Sequence, residues 1–147
     1  MLHQKSLRMA LLVCLGLVAA GLYGSAAEQK DRPAVAAASA LARRDAAKEV
    51  YEGAWQRHFQ EPESVAGDVG YFRDWSVRWL QAERDLGQSK AEQVTACDGH
   101  LKRMQSWKDL LEAQFKERQV PKYSVSAAEF FRLEAEDWLT AARTGTK

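Results

Sequence analysis

Apolar residues recur every three or four positions through three stretches of this chain, and the breaks between them fall at or near its prolines. In residues 34–60, Ala47, Val50, Tyr51, Ala54, Trp55 and Phe59 make one stripe at helical spacing. In residues 68–118, Phe72, Trp75, Trp79, Ala82 and Leu86 step by three and four. Val94, Cys97, Leu101, Met104, Trp107, Leu111 and Phe115 continue the same steps. Between Leu86 and Val94 the segment GQSKAEQ carries no large apolar residue, and the phase advances by four and four, a stutter in coiled-coil terms. Read as continuous, this helix has about 50 residues and is on the order of 75 Å long. Gly87 and Gly99 are places where it can break, and Ser89 with Glu92 fits a capping box at which it can restart. The third stretch, residues 126–143, opens on a second capping-box pattern, Ser126-Ala127-Ala128-Glu129, and places Ala128, Phe131, Ala135, Trp138 and Ala142 on one face. The tail from Arg143 is expected to fray.

Proline is tolerated in a first helical turn and breaks a helix interior, so Pro33, Pro62 and Pro121 read as punctuation. The predicted fold is all-α: elongated antiparallel helical hairpins, or coiled coil, built on one long central helix. The first and third stretches fold back along its two halves. A break at Gly87 gives the alternative, a compact four-helix bundle. A two-helix-thick rod buries less apolar surface than a globule of the same length, so it needs a partner or copies of itself. A weak internal repeat runs with this: Phe59, Glu61 and Val69 recur as Phe115, Glu117 and Val125, eight heptads later.

The first 27 residues pattern differently. His3, Lys5 and Arg8 precede the uncharged run MALLVCLGLVAAGLY, and Ser25-Ala26-Ala27 follows with small residues before charge resumes at Glu28. This is the layout of a cleaved secretory signal. The apolar run, residues 9–23, is short of the roughly 20 residues a membrane-crossing helix needs, so membrane contact is expected only through this segment and only if it stays uncleaved. Val13 stands where a lipobox before Cys14 wants a small residue. Residues 28–147 then form a single helical domain in the periplasm or cell envelope.

Composition narrows the choice further. The 147 residues carry 21 Lys and Arg against 20 Asp and Glu, a balance that offers no basic surface for nucleic acid. Isoleucine and asparagine are absent and alanine is abundant, which favours helices over strands. Removal of the leader leaves Cys97 as the one cysteine, so an exported chain holds no internal disulfide. Cys97 reads as a possible free thiol, buried as a small apolar side chain or else pairing two copies.

Catalytic and metal chemistry find little to use. Cys97 and His100 are three apart on a helix, a spacing metal sites use, but His58 on another helix is the one further histidine of the mature chain. No Cys-x-x-Cys-His, Gly-x-Ser-x-Gly or phosphate-cradling glycine loop occurs, and Glu134-Ala135-Glu136-Asp137 reads as a solvated face. No metal, cofactor or enzymatic activity is expected. The five tryptophans are the unusual feature. Trp55, Trp75 and Trp79 are expected to meet where the first two helices pair, and Trp107 and Trp138 where the last two do. Their spacing assigns them to the core. Interleaved Arg57, Arg73, Arg78 and Arg132 allow a second reading, an aromatic surface for glycan or peptide.

The segment Trp75-Ser76-Val77-Arg78-Trp79-Leu80-Gln81-Ala82-Glu83-Arg84-Asp85-Leu86 resembles the W-S-x-R-W-L-x-A-E-R-x-L stretch of small exported helical proteins of planctomycete-type bacteria. Residues 127–139, AAEFFRLEAEDWL, resemble the second signature of that group. The group is similar in turn to the helical hairpins of outer-membrane efflux proteins, the TolC-like family, with Ser64 to Val69 and Ser124 to Val125 in the places of the recurring polar loops. The resemblance implies coiled-coil architecture and an envelope location. It does not extend to transport, because the alternating apolar runs of membrane β-strands are missing from the sequence. The resulting expectation is a non-enzymatic envelope interaction or scaffold protein, efflux-associated, that self-associates or binds another envelope protein. The alternative is a compact bundle that binds a small ligand or glycan in an aromatic pocket.

Overall fold

The computed structural model describes residues 25–60 and 69–145, with side chains from residue 34 onward. These residues are all-α. The helices are α1 (Ser25–Gln60), α2 (Tyr71–Leu86), α3 (Lys90–Lys116) and α4 (Lys122–Thr144). The chain divides into two units, Met1–Ala36 and Ala37–Lys147. Of the first, only the helical backbone from Ser25 and the exposed side chains of residues 34–36 are described. Residues 1–24 of the predicted signal, and residues 61–68 with Pro62 and Ser64, lie outside the described residues. Among the described residues no helix is long and apolar enough to cross a membrane.

The central helix predicted over 68–118 is two helices. α2 ends at Gly87, whose N–H bonds to the Glu83 carbonyl while its backbone turns extended. Two residues later Ser89 opens α3 with a complete capping box. Ser89 Oγ accepts from the Glu92 N–H, and Glu92 Oε2 accepts from the N–H groups of Ser89 (2.8 Å) and Gln88 (3.0 Å). The Gln93 amide donates 2.8 Å bonds to the carbonyls of both Arg84 and Gly87, covering acceptors that the end of α2 leaves open. The stutter in the apolar pattern is thus a chain reversal. Gly99 has no such effect, and α3 runs through it.

α4 also begins elsewhere than predicted. The end of α3 closes in a Schellman turn: Gln119 N–H bonds to Gln114 O and Arg118 N–H to Phe115 O, both at 2.9 Å, with Arg118 left-handed at φ 61°. Pro121 follows as N-cap, its φ of −75° already suited to a helix start. The helix therefore opens one turn before Ser126, which lies exposed within it, and the Ser126–Glu129 box does not form. Glu129 turns to Arg132 instead, at 2.9 Å. At the far end helical order reaches Thr144, where left-handed Gly145 caps it. Pro33, expected in a first turn, stands inside α1.

Side-chain pairings fix the directions within the second unit. Arg43–Asp85 and Tyr51–Phe72 set α1 antiparallel to α2. Ser76–His100 and Arg84–Gln93 set α2 antiparallel to α3, and His100–Trp138 and Lys108–Glu129 set α3 antiparallel to α4. Tyr51–Arg103, Trp55–Trp107 and His58–Gln114 run α1 parallel to α3. The Arg73 guanidinium straddles Glu134 at 2.9–3.2 Å and ties α2 to α4. Two apolar clusters result. One holds Tyr51, Phe72, Trp107, Leu111, Val120 and Ala128, and the other Leu80, Ala96, Cys97 and Leu139. α3 supplies both.

Candidate functional site

The buried face of α3 reads Ala96, Cys97, His100, Met104, Trp107, Leu111, Gln114, from Cys97 onward in steps of three and four. Two of these are polar, in places where the apolar pattern points to their neighbours Leu101 and Phe115. On α1 the same exchange occurs: His58 is buried and Phe59 is exposed. The helices are rotated so that polar groups enter the interior, and they do so in two paired sites.

At the first site, Ser76 Oγ lies 2.7 Å from His100 Nδ1 and 2.7 Å from Arg103 Nε. Arg103 is a donor only, so the serine oxygen accepts from it, and the direction of the Ser76–His100 bond follows the imidazole tautomer. His100 stacks on Trp138 at 5.2 Å, 19° from parallel. Burial, then the nearby Arg103 and Arg73 charges, hold its pKa down at about 3, so the ring is neutral. The Arg103 guanidinium lies over the Trp79 ring at 4.0 Å, and Trp79 Nε1 donates to Glu83 Oε1 at 2.8 Å. Tyr51 reaches across from α1 to donate to the Arg103 carbonyl at 3.4 Å, and burial pushes its phenol pKa up.

At the second site the Gln114 amide lies 2.8 Å from His58 Nε2, and burial pushes the His58 pKa down. Trp107 and Phe72 wall this pair, the Trp107 ring 5.4 Å and the Phe72 ring 6.0 Å from the imidazole.

Trp55, Trp75 and Trp79 gather in the first apolar cluster as predicted, and Trp107 joins them there, 4.3 Å from Phe72 and 6.2 Å from Trp55. Trp138, expected beside Trp107, joins the second cluster and meets His100. Trp107 is fully buried and the other four are half-buried. Arg78 lies over the Trp75 ring at 4.4 Å, the closest match to the arginine-interleaved surface. Cys97 is a free, buried thiol whose pKa burial raises. Among the described residues no three of His, Cys, Asp and Glu gather to hold a metal ion.

A serine–histidine contact invites a nucleophilic reading. Here both side chains are wholly buried, and the face of the imidazole is covered by Trp138 rather than oriented by a carboxylate. What the arrangement does is fix the mutual register of α2, α3 and α4. None of this was visible from spacing alone, because Ser76, His100 and Arg103 lie on two helices that the pattern joined into one.

Among the described residues, open features face solvent on α1, α3 and α4. A groove of about 380 Å³ between α1 and α3 is lined by Tyr51, Glu52, Trp55, Gln56, Lys102, Arg103 and Ser106. On α4, Tyr123, Phe130 and Leu133 are 68%, 63% and 46% exposed, while Ser124, Ala128, Ala135 and Leu139 of the same helix are buried. No protein-family model, curated protein or solved structure matches this chain.

Proposed function

We propose that this chain is a non-enzymatic interaction or scaffold protein of the cell envelope, exported by its first 27 residues. Its hairpins belong to the TolC-like kind of coiled-coil helix, and an efflux-associated assembly is the setting that resemblance points to. The observation that carries the reading is the second apolar face of α4. A helix that already buries one face against its own chain keeps Tyr123, Phe130 and Leu133 in solvent at seven- and three-residue spacing. Contiguous exposed apolar residues of this kind mark a contact surface. The buried Ser76–His100 pair supports a non-catalytic role, since no substrate reaches it.

The test is in-cell cross-linking of the full chain, followed by capture from the envelope fraction and sequencing of the new N-terminus. Recovery of the chain cut after Ala27, joined to itself or to an envelope protein, is the expected result. A chain retained uncut in the cytoplasm, or captured alone, overturns it. The α1–α3 groove favours a second reading, a glycan or small ligand held against Tyr51 and Trp55. Under that reading tryptophan fluorescence shifts on titration with cell-wall oligosaccharides, and the shift is lost in Trp55→Ala.

A further inference from the structure

The outward face of α4 has a charge order that selects its own partner. At heptad spacing it presents Tyr123, Ser126, Phe130, Leu133, Asp137 and Thr140, all exposed. A cation stands at one end and acids at the other: Lys122 flanks Tyr123, and Glu136 adjoins Asp137. Neither Lys122 nor Asp137 has an ion-pair partner among the described residues, whereas the charges between them are engaged. Glu129 and Glu136 both hold Arg132 at 2.9 Å, and Glu134 holds Arg73.

We infer that this face docks on the same face of a second copy of the chain, the two α4 helices antiparallel. The pairing rests on the interaction reading above and names its partner. In an antiparallel register that sets Phe130 of one copy against Leu133 of the other, the two-fold axis repeats that contact, giving four apolar side chains at the centre. Tyr123 then falls opposite Thr140 and Ser126 opposite Asp137, while Lys122 comes within reach of Glu136 and Asp137. The two Glu129 carboxylates approach near the axis, but each is held by Arg132 at 2.9 Å and lies 3.9 Å from Lys108. A parallel pairing would instead set Lys122 against Lys122 and Asp137 against Asp137. Like charges at both ends disfavour it.

Sedimentation equilibrium of the full chain, in a mild detergent matched in density to the solvent, measures the mass. Two copies are expected at micromolar concentration. Phe130→Asp with Leu133→Asp places charge on side chains that are exposed in the single chain, so circular dichroism should be unchanged. Self-association should weaken on the order of a thousandfold, because four buried apolar groups become charges. Direction is read by mixing differently tagged Tyr123→Cys and Thr140→Cys chains in a Cys14→Ser, Cys97→Ala background. The antiparallel pair gives the mixed 123–140 disulfide, and 123–123 bonds overturn it.

A single-copy mass for the wild type overturns the pairing. So does a two-copy mass that survives the double substitution. In either case the capture experiment decides separately: an envelope protein recovered there leaves the interaction reading standing, and a chain recovered alone removes both.

Discussion

His100 is the residue at which packing and pH meet. It is wholly buried and neutral in the fold, its pKa near 3, against an ordinary value of 6.5. Protonation therefore favours the unfolded chain. Between those two values the unfolded state binds more protons, so stability is full above about pH 6.5 and falls as pH drops. From roughly pH 7.5 to 5.5 the loss from His100 alone is about 1.4 kcal/mol, and His58, also lowered by burial, acts in the same direction. Urea melts at the two pH values measure this, and His100→Gln should flatten the slope even though it lowers stability at both. A wild type equally stable at both would mean that the ring is not held neutral. Arg118 is a residue of the opposite kind, exposed and confined to left-handed backbone by the turn it closes. A Cβ carries a penalty there that glycine escapes, so Arg118→Gly should raise stability by about 0.5–1 kcal/mol in the same melts. A loss of stability would show that the arginine side chain outweighs the backbone gain.

Among the elements, the hairpin between α2 and α3 depends on a few short contacts. Ser89 and Glu92 satisfy each other's backbone, and Gln93 covers the end of α2. Ser89→Ala removes the side-chain acceptor and should cost about 1 kcal/mol. Gly87→Ala should lower stability although a helix propensity scale gives it a gain, because a Cβ there would stand 3.0 Å from Glu92 Cβ. Both costs appear as shifts in the urea midpoint, and an unshifted Ser89→Ala midpoint would refute the capping role. This element also shows how far the sequence could be read. Helical spacing was enough to find all-α structure and the place of Pro121, and the capping pattern at Ser89 marked the true restart. The choice between a stutter and a reversal was not legible, since both leave the same apolar steps and differ only in tertiary contacts. Ser126-x-x-Glu129 misled for a related reason: Pro121 and the Schellman turn at Arg118 start the helix first. The polar interior was missed because each buried polar group adjoins an apolar residue that fits the stripe as well. His58 beside Phe59, His100 beside Leu101 and Gln114 beside Phe115 were separable only by the partner each finds on another helix.

For the Ala37–Lys147 unit taken together, the repeat at eight heptads acquires a physical meaning. His58 on α1 hydrogen-bonds the residue 56 positions on, Gln114, and the exposed Phe59 and Phe115 follow them on parallel helices. Two hairpins, α1–α2 and α3–α4, are thus set in matching register, yet they are not independent. α3 supplies Trp107 and Leu111 to one cluster and Ala96 and Cys97 to the other, and the buried Ser76–His100 bond lies between the elements that carry both. A rigid helix shared by two clusters couples their loss, so unfolding should be a single transition. Phe72→Ala, which strips ring contacts from Tyr51, Trp55, His58 and Trp107, should cost about 3–5 kcal/mol. Leu80→Ala in the other cluster should cost about 2–5 kcal/mol. Each should shift the same midpoint whether it is followed by tryptophan fluorescence or by far-ultraviolet circular dichroism. If Phe72→Ala moved the fluorescence transition and left the dichroism midpoint in place, the hairpins would be separate folding units joined by α3. The proposed pairing of the α4 face would then have to be sought on the second hairpin alone.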